Sequence, residues 1–187
     1  MKNKLQKWLL FTCSGLMLLQ ACKKDDDLVP VPPPVANESE VITTLQITFK
    51  DSLGVKPDVT AIFRDPDGDG GNAPVQFDSI RLEAGTPYLA TISLLDETKS
   101  PAEDIGAEVI EEANDHFFCF TPSAANVSVR STDLYGSYTL GMKSTWTTGA
   151  ASRGAVLVKL KHQPGVKNGS CDPGETDIEV NFGIVIR

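Results

Sequence analysis

Chemistry is most concentrated in Arg64-Asp65-Pro66-Asp67-Gly68-Asp69-Gly70-Gly71-Asn72, where three aspartates fall at alternate positions and a glycine follows the third. That is the first half of a calcium loop, whose carboxylates at positions 1, 3 and 5 converge on one cation while a glycine at 6 permits the turn. With Asp65 as position 1, position 12 is Gln76, whose neutral amide cannot supply the closing bidentate carboxylate. The expected Ca2+ set is therefore Asp65, Asp67 and Asp69, a backbone carbonyl near Gly71, and Asp78 from the following segment. Aspartate and glycine are also what tight turns select, so a plain hairpin tip is the competing reading. Three carboxylates within five residues repel one another without a cation, which favours the ion.

The two histidines are a second source of chemistry. His116 follows an acidic run, and His162 closes Val156-Leu157-Val158-Lys159-Leu160-Lys161, so each lies where an apolar stretch meets a turn. With Glu112, Asp115, Glu175 or Asp177 beside them, they form a candidate site for a transition metal or a haem iron. Isolated histidines are more often ordinary surface or capping residues, and spacing alone does not make these two meet. Of four cysteines, Cys119 and Cys171 lie away from the N-terminal segment. In an oxidising compartment they are expected to pair, which stabilises a fold by about 4 kcal/mol in the chain-entropy picture. A thiolate metal site is the alternative, and it lacks paired C-x-x-C spacing. No G-x-S-x-G elbow, P-loop, H-E-x-x-H or G-x-G-x-x-G is present. Glu111 and Glu112 are neighbours that point apart on a helix, so they make no catalytic pair and no enzyme is expected.

The elements that must hold these groups alternate with period two. Val41–Phe49 sets Leu45, Ile47 and Phe49 on one face against threonine and glutamine on the other, the pattern of a half-buried strand. Val59–Arg64 and Val75–Leu82 repeat it on either side of the aspartates, so that loop is expected to cap a hairpin. Tyr88–Asp96, His116–Thr121 stopped by Pro122, Asn126–Thr132, Tyr138–Thr147, Arg153–Lys161 and Asp177–Ile186 supply the rest. Ser100-Pro101-Ala102-Glu103 reads as a capping box with proline at the first helical position, and Ile105, Val109, Ile110 and Ala113 recur at helical spacing. The expected fold is mainly β: an antiparallel, immunoglobulin-like β-sandwich of about nine strands with one short helix near 101–114.

The N-terminal segment carries three lysines and no acid, then an apolar run of 12 residues, Trp8 to Leu19, too short to span a membrane. Leu19-Gln20-Ala21-Cys22 resembles the bacterial lipoprotein lipobox, which implies cleavage after Ala21 and a lipid on Cys22. Lys23-Lys24-Asp25-Asp26-Asp27 then resembles a surface-export signal, and Leu28–Val35 is a proline-rich spacer favouring extended polyproline II. The expected organisation is a signal peptide over 1–21, a lipidated tether over 22–40 and a β-sandwich over 41–187. Without residues 1–21, 14 basic side chains face 25 acidic ones, a formal charge of −11 that suits cations and disfavours nucleic acid.

Three stretches, Asp65–Pro74, Leu95-Asp96-Glu97-Thr98 through Phe118, and Thr148-Gly149-Ala150-Ala151 through Val180, resemble a family of small outer-membrane lipoproteins of Bacteroidetes. The resemblance implies a surface-exposed or periplasm-facing lipoprotein at the outer membrane, anchored by its lipid and working beside a TonB-dependent receptor, with no known reaction. Members are sometimes assigned a type 1 periplasmic-binding fold, a two-lobed α/β architecture that one helix and about 145 residues cannot build. Asp51-Ser52-Leu53 and Asp78-Ser79-Ile80 are similar to the short O-glycosylation signal of that group. The expected function is a non-enzymatic accessory that binds a ligand or receptor and carries a structural Ca2+ loop; the alternative is a structural or adhesive surface module without a small ligand.

Overall fold

The computed structural model describes residues 40–68 and 70–187. The signal peptide, the lipobox with Cys22, the tether before residue 40, and Asp69 of the aspartate loop lie outside the described residues. Every described element falls in one unit, Asn37–Arg187.

Strand order follows from which stretches can bury alternate side chains on one face. β1 (Thr44–Asp51), β2 (Val59–Arg64), β3 (Gln76–Phe77), β5 (Pro87–Leu95), β7 (Val127–Ser131) and β10 (Lys143–Thr148) form one sheet in the order β3-β2-β1-β5-β10-β7. β4 (Ile80–Leu82), β6 (His116–Ser123), β11 (Ser152–His162) and β12 (Glu175–Ile186) form the second, in the order β4-β12-β11-β6. β8 (Leu134–Tyr135) and β9 (Tyr138–Thr139) make a small separate ribbon. Between the sheets lie Leu45, Ile47 and Phe49 of β1 and Ala90, Ile92 and Leu94 of β5, with Val156, Val158 and Leu160 of β11 and Val180, Phe182 and Ile184 of β12 in the same cluster. The β-sandwich expected from the period-two pattern is the fold observed, with one helix, α1 (Ile105–Glu111).

Four local expectations are corrected. Val75–Leu82 is not one strand: Asp78 accepts the Ile62 backbone N–H at 3.0 Å and its own N–H bonds the Ile62 carbonyl, so the chain leaves β3 and crosses to the other sheet. There β4 pairs with β12 in parallel, the one exception to the antiparallel pattern among the named strands. Pro122 does not stop β6, because β6 is an edge strand and a missing donor on its open side costs no ladder bond. Tyr138–Thr147 breaks at Gly141, whose φ of 97° suits glycine and whose N–H, like that of Lys143, bonds the Asp133 carboxylate. The helix is also shorter than expected. Asp104 caps it by accepting from Ala107 N–H, while Glu103 is held in a bridge to Asp96 rather than in a capping box.

A candidate metal centre at one end of the sandwich

His116 opens β6 and His162 closes β11, and the antiparallel register of these strands places them directly opposite. Both face the interior, since each continues its strand's inward set beside Phe118 and Leu160. Their rings stack at 4.8 Å between centroids with 25° between planes. The two histidines that sequence spacing could not bring together are therefore cross-strand neighbours.

Asp177 reaches the pair through an irregularity. Along β12, Ile178 and Val180 point inward and Glu179 outward, so simple alternation would turn Asp177 to solvent. The register shifts there, however: Leu160 opposes Ile178, Lys161 opposes Thr176, and Asp177 is the extra residue of a β-bulge. A bulge re-aims its side chain. Only 1% of the Asp177 side chain is exposed, and its Oδ2 stands 3.8 Å from His116 Nε2.

Glu112 joins from the C-cap of α1. Its backbone carbonyl lies 3.2 Å from His116 Nδ1, and its carboxylate 4.0 Å from the same atom. Nδ1–H must be the donor in the first contact, which leaves the lone pair on Nε2, the edge that faces Asp177. A ligand histidine oriented by a carbonyl on its other nitrogen is the usual outer arrangement of metal sites. Neither His116 Nε2 nor Asp177 Oδ2 has a hydrogen-bond partner in the protein. Two electron-pair donors thus face each other in a dry site with no donor between them.

The electrostatics agree. Burial holds the His116 imidazolium below its ordinary range, with the Glu112 carbonyl opposing, so the ring is neutral and able to coordinate at pH 7. Burial lifts Asp177 to about 6, against the pull of His162 and Lys161. Glu40 is raised to about 7, by burial first and then by Glu108, Glu112, Asp177 and Glu103. Acidic groups crowded beside the neutral His116 imidazole leave this end of the site short of positive charge.

Among the described residues, Glu112, His116 and His162 are the one group of at least three potential ligands whose donor atoms all lie within 4.8 Å of one another. Asp115 does not belong to it: its backbone carbonyl accepts from Gln163, and its carboxylate acts on His116 only through space. Stacked rings 4.8 Å apart leave no gap for a porphyrin plane between them, so the geometry suits a bare ion rather than haem. Two ligands of one tetrahedral zinc, each about 2.0–2.2 Å from it, stand roughly 3.4 Å apart. The 3.8 Å between Nε2 and Oδ2 needs only a small closure to match.

The loop joining β11 to β12 braces the centre. Gln163 is fully buried and donates to the carbonyls of Ser170 and Pro173 at 2.9 and 3.0 Å. Lys161 donates to Gly174 O and Thr176 Oγ1 at 2.8 and 3.1 Å. Cys119 and Cys171 are disulfide-bonded, tying this loop to β6.

The aspartate loop joins β2 to β3, which pair antiparallel through Arg64 and Gln76. Asp67 accepts both the backbone and side-chain N–H of Asn72, at 2.8 and 2.7 Å, and these bonds hold its pKa below the ordinary value. Gly71 lies so close to that carboxylate that a Cβ there would stand 2.4 Å from Asp67 Oδ2. Asp78 is bonded to Ile62 N–H and Gln76 Nε2. Asp65 is hydrogen-bonded through its side chain to Asp67, and it is also among the residues lining a cavity of about 270 Å³ together with Phe63, Ile42, Ile178, Glu179 and Asp177. Sequence reasoning did not connect Asp65 with Asp177, and nothing in either local pattern signals the bulge that joins them.

Comparison of the chain with protein-family models, with curated proteins and with solved structures finds no match.

Proposed function

We propose that the protein is a non-enzymatic, lipid-anchored module of the cell envelope that binds a divalent transition metal between His116 Nε2, His162 and Asp177, with Glu112 orienting His116 from its Nδ1 side. The observation that carries this reading is the buried pair of His116 Nε2 and Asp177 Oδ2, 3.8 Å apart and without hydrogen-bond partners. A cation between them supplies the missing charge and the missing contact at once. Two imidazoles with carboxylates favour zinc, copper or nickel over the hard, all-oxygen preference of calcium. The calcium expectation for the hairpin has less support, since the Asp67 and Asp78 carboxylates are bonded within the protein. A cavity walled by apolar Ile42, Phe63 and Ile178 supports ligand binding over a purely adhesive module. The lipobox-like Leu19-Gln20-Ala21-Cys22 supports anchoring, and a place beside a TonB-dependent receptor would make the centre a point of metal delivery.

Equilibrium dialysis of the full chain in detergent against Zn2+, Cu2+, Ni2+ and Ca2+, with metal analysis, tests this. One transition-metal ion per chain is expected, lost on joint replacement of His116 and His162 by alanine. Absence of stoichiometric transition metal, or equal binding by the double variant, rejects the centre. Calcium bound in its place, and retained by the double variant, restores the hairpin reading.

A further inference from the structure

At the end of the sandwich opposite the metal centre, the turn from β1 to β2 carries Leu53 and Val55, the most exposed large apolar side chains among the described residues, at 76% and 79%. That turn is fixed rather than slack. The Asp51 carboxylate, buried, accepts the backbone N–H groups of Leu53, Val55 and Lys56 at 3.1, 3.1 and 3.2 Å, and the Asp51 carbonyl accepts from Gly54 at 2.9 Å. Ser52 fastens the turn to β5 by donating its N–H and its hydroxyl to the Pro87 carbonyl at 3.0 and 2.9 Å. An ordered loop that holds two aliphatic side chains in water forgoes the burial that stabilises the core, so its apolar tip is suited to burial against something else.

Charge at this end runs against the acidic balance of the chain. Val185 of β12 pairs with Arg153 of β11 on one side and with Arg81 of β4 on the other, and residues opposite one another share a face of the sheet. Arg187, two residues after Val185, returns to that face, and its N–H bonds the Leu82 carbonyl at 3.1 Å. All three arginines are exposed, and none takes part in an ion pair among the described residues. The acids beside the tip are engaged: Asp51 by the turn, Asp58 by Lys50 at 3.7 Å and Glu83 by Lys56. The opposite end, where the described chain begins, carries Glu40, Glu103, Glu108, Glu111 and Glu112. The molecule is thus acidic at one end and, at the other, apolar at the tip with three unpaired arginines beside it.

Resting on the lipid anchor proposed above, we infer that this far end is a second membrane contact, in which Leu53 and Val55 enter the headgroup boundary while Arg81, Arg153 and Arg187 meet the phosphates of anionic lipid. Aliphatic insertion and arginine–phosphate pairing are the two contributions that hold a protein surface at a bilayer. Extended, residues 23–39 would reach about 50 Å, more than the roughly 40 Å length of β12, the longest strand, so a lipid on Cys22 leaves enough chain for the far end to meet the same bilayer. Such a contact turns the metal centre away from the lipid.

The full chain with its lipid, reconstituted into vesicles, tests this through a tryptophan at the tip. In vesicles of brominated phosphatidylcholine and phosphatidylglycerol, Leu53→Trp should be quenched about twofold relative to unbrominated lipid, since an interfacial group sits about 5–10 Å deep. The wild type sets the baseline, because Trp146 is fully buried in the core. High salt, or joint Arg81→Gln, Arg153→Gln and Arg187→Gln, should remove most of that quenching. Val55→Trp is a second reporter should the first variant misfold, and Leu134→Trp, exposed at the metal end, should show none. A tip reporter that is not quenched in a chain that floats with the vesicles overturns the second contact and leaves the anchor standing. A chain that does not float overturns the anchor instead. Quenching that ignores both salt and the arginine replacements overturns the pairing with phosphate. A reporter shielded from aqueous acrylamide yet untouched by brominated lipid is covered by protein, a second copy included, and overturns the assignment to lipid.

Discussion

His116 and Asp177 have opposite proton preferences, and the apo protein lives between them. Burial lowers the His116 pKa, so its contribution is present at neutral pH and is lost as pH falls through the unfolded value of 6.5. Asp177 is an acid raised from 3.8 to about 6, so the fold favours its protonated form. Its contribution is present below 3.8 and is lost as pH rises through about 6. Above that, an ionised Asp177 faces a neutral imidazole, relieved only by Lys161 and His162 at a distance and opposed by Glu175. Asp177→Asn removes the buried charge and should raise the apo protein's stability at pH 7 by about 1–3 kcal/mol. At pH 4 it should change little, and at either pH the variant should lose the stabilisation that zinc gives the wild type. Thermal melts at both pH values, with and without zinc, check this. A variant no more stable than wild type at pH 7, or one still stabilised by zinc, contradicts the assignment.

At the scale of elements, the centre depends on a loop as much as on strands. Residues 163–174 return the chain from β11 to β12 and set where the bulge falls. Gly174 has a φ of 80°, and a Cβ there would stand 2.0 Å from the His162 carbonyl oxygen. Both the backbone conformation and the close approach require glycine. Gly174→Ala should therefore cost at least about 2 kcal/mol and displace Asp177, weakening zinc more than a comparable lesion elsewhere. Denaturant unfolding and zinc titration of the folded variant separate the two effects; a variant of wild-type stability and affinity would show that the loop is not the brace. The disulfide acts on the same element. Its 52-residue separation corresponds to about 4 kcal/mol of chain-entropy stabilisation.

For the whole molecule, the core is what makes one end of the sandwich rigid enough to hold a site. Trp146 is fully buried and bridges the sheets, edge-on to Phe49 of β1 at 5.0 Å and to Phe120 of β6 at 5.7 Å. Its indole N–H donates to Ser144 Oγ at 2.9 Å, so no polar atom is stranded. Trp146→Ala should cost about 3–5 kcal/mol, read from the midpoint of denaturant unfolding, and a loss below about 1 kcal/mol would show that the sheets do not depend on it. What the sequence determined by itself was local. Period-two alternation in Val41–Phe49 and Tyr88–Asp96 fixed strands and inward faces, because a pleated strand sends alternate side chains to opposite sides. Two cysteines outside the N-terminal segment, Cys119 and Cys171, were enough to expect the bond between them, and two histidines at strand ends were enough to nominate them. Tertiary structure alone decided that β6 and β11 pair, which sets His116 against His162 across 46 residues of sequence. It also decided that the bulge turns Asp177 inward, that Asp115 stays out, and that Asp65 is among the residues lining the same cavity as Asp177. The physical reason is that register and bulges are set by how whole strands share hydrogen bonds and bury their faces, and no window of a few residues contains that balance.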